Sequence, residues 1–133
     1  MSEDQELALG LEYDRMAACV LAWREDGKVL AVARPDDPSS FGFPGGGVEE
    51  GESFEEAAAR ELSEETGLSA ASLAPVHAGL QGTTLCVVFE AQVSGTLQSS
   101  GEGEAKWLDP SELAGGAYPE FARAVFDKVG IEY

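Results

Sequence analysis

The stretch Phe54–Thr66 puts glutamate where a helix packed on a sheet should carry aliphatic side chains, and few folds tolerate that. The segment Glu52–Thr66 is dense in Ala, Glu and Leu, so a helix is expected there, with Gly67 as its C-terminal cap. On a wheel of about 100° per residue, Phe54, Ala57, Ala58 and Leu62 share one side. Glu55 and Glu56 fall away from the centre of that side. Glu61 and Glu65 lie near its middle, and Glu64 lies at its edge. The 61/65 and 61/64 spacings are helical neighbour spacings, so these carboxylates crowd one another. Burying them together is strongly unfavourable without a compensating cation. Arg60 alone cannot balance three. A divalent metal can, and hard carboxylate oxygens suit Mg²⁺ or Mn²⁺ better than zinc. The competing reading is an exposed helix end with solvated acids. The preceding segment argues against it: Pro44-Gly45-Gly46-Gly47 leads through Val48-Glu49-Glu50-Gly51 into the helix. Glycines let backbone approach an anion or a metal closely. A glycine loop feeding a helix with inward carboxylates implies a device that holds metal ions against a chain of phosphates.

The rest of the chain reads as a single domain of alternating strands and helices. The apolar run Met16–Trp23 reads as a buried strand. Glu25-Asp26-Gly27 signals a turn, and Lys28–Arg34 reads as the next strand of a hairpin. Pro35–Ser40 is expected to be a polar loop, and Phe41–Gly47 a loop or short irregular strand. Ala74–Gly82 reads as extended, and Thr83–Val93 is the strongest strand candidate. Gly95–Gly103 reads as a flexible loop and Ala105–Leu108 as a short strand. Asp109-Pro110 looks like a helix start, and Pro119–Val129 a terminal helix with Phe121, Val125 and Phe126 on one face. Met1–Asp14 has no clear period and is expected to be a flexible or edge extension. Strands followed by helices in this order suggest an α/β or α+β sandwich.

Charge and cysteine content narrow the function classes. The formal net charge of −17 over 133 residues repels a long polyanion. DNA, RNA and anionic membranes are therefore not expected partners. A phosphorylated small molecule would also be repelled unless bound cations reverse the local potential. The longest apolar runs, Leu85–Phe89 and Met16–Trp23, are strand-sized rather than membrane-spanning. Met1–Gln5 is acidic and lacks an apolar targeting segment, so a cytoplasmic location is expected. Cys19 and Cys86 sit in apolar runs and read as buried thiols rather than a disulfide. With one His in the chain, no zinc ligand set is visible. The oligomeric state is left open, a homodimer included.

The segment Gly46–Leu68, GGVEEGESFEEAAARELSEETGL, resembles the signature of the Nudix (MutT-like) hydrolases in every fixed position. Those positions are Gly46, Glu52, Arg60-Glu61-Leu62, Glu64-Glu65, Thr66 and Gly67-Leu68. Phe43-Pro44-Gly45 looks like the family's lead-in, and Ala105–Leu108 followed by Asp109–Leu113 like its late strand-to-helix step. The resemblance implies an α/β/α sandwich with a mixed central sheet. It implies that Glu61, Glu64 and Glu65 are metal-binding carboxylates, with a Gly45 or Gly46 carbonyl completing the shell. Glu52 and Arg60 match a pair that braces loop against helix. A further Glu before the late Trp-containing strand is expected, and Glu104 is preferred over Glu102.

The implied reaction is hydrolysis of a diphosphate linkage in a small nucleotide-like substrate, dependent on Mg²⁺ with Mn²⁺ as a substitute. Glu64 or the downstream Glu would accept a proton from the attacking water. A nucleoside triphosphate or related nucleotide is the expected substrate. The alternatives are ADP-ribose, a nucleotide sugar, or a module that binds a nucleotide without cleaving it. No subfamily tag settles this. Gly82-Thr83-Thr84 lacks the Pro or Tyr of many ADP-ribose members, and Tyr118-Pro119-Glu120 lacks the Asn that reads oxidised guanine in sanitising members. Arg34, at a strand end, is a candidate to meet a phosphate or a base. Phe41 and Phe43 are candidates to stack on a base, whereas Trp23 is expected in the core.

Overall fold

The computed structural model describes residues 12–34, 36–98 and 104–133. Among the described residues, seven strands and three helices follow in the order β1 (Arg15–Leu21), β2 (Val29–Arg34), β3 (Asp37–Gly42), β4 (Gly45–Gly47), α1 (Phe54–Thr66), β5 (Ser69–Gln81), β6 (Thr84–Ser94), β7 (Ala105–Leu108), α2 (Pro110–Ala114) and α3 (Pro119–Val129). Four strands form a mixed sheet in the order β4-β1-β6-β5, and three form a second sheet in the order β3-β2-β7. In the first sheet β1 and β6 run parallel, while β4 and β5 flank them antiparallel.

Strand alternation explains the layers. Ala18 and Val20 of β1, with Val87 and Phe89 of β6, face Ala57, Ala58 and Leu62 of α1. Cys19 and Leu21, with Cys86 and Val88, face the other way onto Phe121, Val125 and Phe126 of α3. A period of two thus feeds two cores from one pair of strands. Full burial of each Leu, Val or Phe side chain is worth about 1.5–3 kcal/mol. Both cysteines are free and buried, as expected. The Cys19 thiol, followed by burial, pushes the Cys86 thiol above its usual range.

Helix α1 has clear ends. Ser53 Oγ accepts from Glu56 N, and Glu56 Oε1 accepts from Ser53 N, both at 3.0 Å. This reciprocal cap is worth about 1 kcal/mol. Gly67 ends the helix at φ 73°, its N–H donating to Ser63 O. Thr66 Oγ1 donates to Leu62 O at 2.6 Å and accepts from Leu68 N at 3.1 Å, which turns the chain into β5.

Three expectations need correction. The hairpin read from Met16–Arg34 closes only at its turn, where Arg24 N donates to Lys28 O and Leu30 N to Ala22 O. Beyond the Trp23–Val29 bridge the strands part into different sheets, because β4 and β6 already occupy both edges of β1. Pro35–Ser40 is not simply a polar loop, since β3 begins at Asp37 and pairs with β2. It is an exposed edge strand, where a proline N without a proton is tolerated. Trp23 is not in the core: it is 53% exposed, one residue past the last buried position of the β1 run. The loop expected at 95–103 is irregular over 95–98, and its remainder, with Glu102, lies outside the described residues, as do residues 1–11. No described helix is long and apolar enough to cross a membrane.

Candidate active site

Strand β4 is laid against β1 so closely that only glycine fits at one position. A Cβ on Gly45 would run into the Ala18 carbonyl oxygen and lie 2.8 Å from Cys19 Cα. The backbone of β4 is in turn met by α1. Gly45 N–H donates to Glu65 Oε1 at 2.7 Å. At Gly46 a Cβ would lie 2.6 Å from the Glu61 carboxyl carbon, so that carboxylate fills the space a side chain would take. The i, i+4 spacing of Glu61 and Glu65 puts both over the glycine strand, on the apolar side of the helix.

Arg60 ties the preceding loop to this face. Its Nε and Nη2 donate to the two Glu52 oxygens at 2.8 and 3.0 Å, and Nη2 also reaches Gly47 O at 2.9 Å. Its Nη1 donates to Glu61 at 2.8 Å and Glu64 at 3.3 Å. Glu52 further accepts from Glu49 N at 3.0 Å. Arg60, and then that amide, holds the Glu52 carboxyl down to about 2. Glu52, and then Glu61, holds the Arg60 guanidinium above its usual range.

The sequence-expected glutamates differ in exposure. Glu61 is 13% exposed and Glu64 54%. Among the described residues no three carboxylates converge into a ready cage for an ion. The donor set is nevertheless all hard oxygen, and the carboxylate seated in the Gly46 cradle suits Mg²⁺ or Mn²⁺. Glu104 is 58% exposed and pairs with Lys106 at 3.5 Å, while its carbonyl accepts from Ala33 N.

A cavity of about 290 Å³ opens beside the glycine strand. Glu65, Gly45 and Gly46 line it together with Arg34 and Phe43, so five residues singled out in the sequence meet there. Glu61, Glu64 and Glu104 are not among its lining residues. Phe43 is half-buried, its ring edge-on to Phe126 at 5.6 Å. Arg34 is clamped by Asp36 and covered by the Tyr118 ring, 5.5 Å from its guanidinium carbon. Sequence reasoning missed Gln81 and Tyr118 as lining residues. Gln81 carries no local signal, being the last residue of β5. Tyr118 is brought in by α3, whose Pro119 start was legible. A larger cavity, about 550 Å³, lies between the Trp23–Glu25 turn, the end of β6 and Trp107, and none of the α1 glutamates lines it.

The NUDIX domain family matches residues 13–129. A MutT-like protein of Streptomyces ambofaciens is 33% identical over 118 residues, covering 86% of this chain and 75% of that one. An ADP-ribose pyrophosphatase of Methanocaldococcus jannaschii is 36% identical over 99 residues, covering 67% of this chain and 59% of that one. The crystal structure of a MutT NUDIX hydrolase from Burkholderia pseudomallei superposes with a TM-score of 0.72 at 23% identity, covering 86% of this chain and 97% of that one, which speaks for the fold. Enzymes of this family act on small nucleotides and generally need a divalent metal. With the glycine strand, the inward glutamates and a match across nearly the whole chain, this protein belongs to the Nudix family and is a hydrolase of phosphoric anhydride bonds.

Proposed function

We propose that the chain hydrolyses the diphosphate linkage of a nucleoside triphosphate or a related nucleotide, with Mg²⁺ as its metal. The observation that carries this reading is the seating of Glu61 and Glu65 on the Gly45-Gly46 backbone, which with Glu65 and Arg34 lines one cavity. Glu61, Glu65 and Glu64 would hold the metal, with a Gly45 or Gly46 carbonyl. When bound, a divalent ion there neutralises phosphate oxygens and acidifies a bound water. Glu64, the most exposed of the three, would accept the proton of the attacking water, with Glu104 as the alternative acceptor. Water oxygen bonds to one phosphorus in line, the bond from that phosphorus to the bridging oxygen breaks, and two phosphorylated products leave. Arg60 and Glu52 keep the loop and helix in register so that the carboxylates stay over the glycines. Arg34 and Phe43 would bind substrate in the cavity.

The test is a panel of nucleoside triphosphates, ADP-ribose, diadenosine polyphosphates and nucleotide sugars, with Mg²⁺ and with chelator. ADP-ribose belongs in it because one relative bears that substrate in its name. Glu61→Gln and Glu65→Gln are expected to lose at least about tenfold in rate, since one charge-stabilising contact in such sites is worth roughly 3 kcal/mol. Unchanged turnover in both variants would refute the assignment. Absence of any product over hours would instead favour a nucleotide sensor.

A further inference from the structure

Arg34 is set among carboxylates. Asp36 accepts from its Nε at 3.0 Å and from its Nη2 at 3.1 Å. Asp37 is its cross-strand partner on β3. The Tyr118 ring covers the guanidinium face. Asp36 alone pairs with the guanidinium, while the Asp37 carboxylate is held by Ser39 and adds a weaker Coulombic pull, and Glu65 lines the same cavity within a chain of net charge −17. An arginine grips a phosphate best with an open fork of two parallel N–H groups. Here Asp36 already occupies one such fork and offsets the charge, so a polyphosphate would meet repulsion as much as attraction. What remains is an oriented donor with little net field around it. Gln81 adds a neutral amide to the same cavity, and Ala17, Ala33 and Ala117 leave its walls shallow. Its volume of about 290 Å³ sits at the low end of ligand pockets, enough for one nucleoside.

We propose that the Arg34–Asp36 pair reads the uncharged nucleoside end of the substrate, Arg34 donating to a base acceptor while Asp36 acts as its positioning residue. This rests on the cavity being the nucleotide site proposed above. It places the polyphosphate at the glutamate end of the cavity and the base at the Tyr118 end.

The experiment measures kcat/KM for ATP, GTP, CTP and UTP with Mg²⁺, and inhibition by inorganic pyrophosphate, in wild type, Arg34→Ala, Asp36→Asn, Asp36→Glu and the Arg34→Ala/Asp36→Asn double variant. Losing one oriented hydrogen bond is worth about 1 kcal/mol, so the ratio between best and worst base should shrink roughly fivefold in Arg34→Ala and Asp36→Asn. Asp36→Glu should keep most of it, and the double variant should match Arg34→Ala alone. Pyrophosphate inhibition should stay within about twofold in Arg34→Ala and the double variant, while Asp36→Asn, which frees the Arg34 charge, should not weaken it. Pyrophosphate inhibition weakened by Arg34→Ala, with base preference intact, would make Arg34 a phosphate ligand and overturn the proposal. A wild type indifferent to the base, or variants that change neither readout, would overturn it too while leaving the nucleotide reading standing. No turnover of any nucleotide by wild type would sink that underlying reading instead.

Discussion

Gly46→Ala separates the position of a carboxylate from the stability of the fold. The added methyl would meet the Glu61 carboxyl carbon and Oε1 at 2.6 Å, and Oε2 at 2.9 Å. All three atoms belong to the far end of a flexible side chain, so the side chain gives and the backbone stays. Reaching ordinary contact moves the carboxylate by roughly 0.8 Å. Gly46 lies outside the positive-φ region, so alanine is no strain on the backbone. The substitution gains about 0.4–1 kcal/mol by restricting the unfolded chain and loses part of the Arg60–Glu61 contact, worth about 0–1 kcal/mol. Net stability should change by no more than about 1 kcal/mol, or a melting shift within ~4 °C. Catalysis should fare differently, because a displacement near 1 Å can cost about a hundredfold. We expect kcat to fall about 10- to 100-fold, or ~1.4–2.7 kcal/mol of transition-state stabilisation. Gly45→Ala is the contrast: its methyl meets the Ala18 carbonyl and Cys19 Cα, which are backbone, and overpacking there costs about 1–3 kcal/mol or more. Steady-state kinetics on the best panel substrate and thermal melts of both variants decide the matter. Wild-type turnover in Gly46→Ala would refute the importance of where Glu61 sits. A melt as low as that of Gly45→Ala would refute the claim that the side chain, not the strand, yields.

Other perturbations test the supports of the site. Arg60→Lys loses the fork on Glu52 and the reach to Gly47 O, so kcat should drop roughly fivefold or more and loop 47–52 should become easier to cleave by protease; intact kinetics would dismiss the brace. Leu62→Ala empties a fully buried position between α1 and the sheet, and urea melts should show a loss of about 2–5 kcal/mol; a loss below 1 would mean that the helix repacks. His77 has its pKa lowered by burial and then by Lys128, its buried Nδ1 has no hydrogen-bond partner among the described residues, and its ring lies T-shaped to Phe121. A lowered histidine pKa means that the unfolded chain binds the proton more readily. The stability His77 contributes is therefore present above pH ~6.5 and lost as pH falls below it through the folded-state value. Melting temperature measured from pH 7.5 to 5 should fall more in wild type than in His77→Gln, and parallel curves would rule the effect out.

Much of the site was legible because helix periodicity is local. Residues three and four apart share a face whatever surrounds them, so Glu61, Glu64 and Glu65 could be placed together on α1 from spacing alone, while the meeting of carboxylates with Gly45 and Gly46 was implied by the family resemblance and holds for Glu61 and Glu65. Helix ends were equally legible, since Gly67 and Pro119 act on their own backbone. Exposure was less so: Glu64 stands largely in solvent, because the angle between a helix and its sheet is set by packing and not by the wheel.

What the sequence by itself determined is the chemistry of one helix and its glycine strand, since both follow from short-range geometry. Pairing between distant strands was decided by tertiary structure alone. Asp37–Gly42 became a strand because β2 had a free edge, the β1–β2 hairpin opened because β1 had none, and Trp23 was left exposed where the chain passes between the sheets. The cavity is of the same kind. Arg34, Gln81 and Tyr118 come from β2, from β5 and from the entry to α3, and only the closing of both cores brings them to Glu65, because hydrogen bonding and burial between far-apart segments leave no periodic mark in the chain.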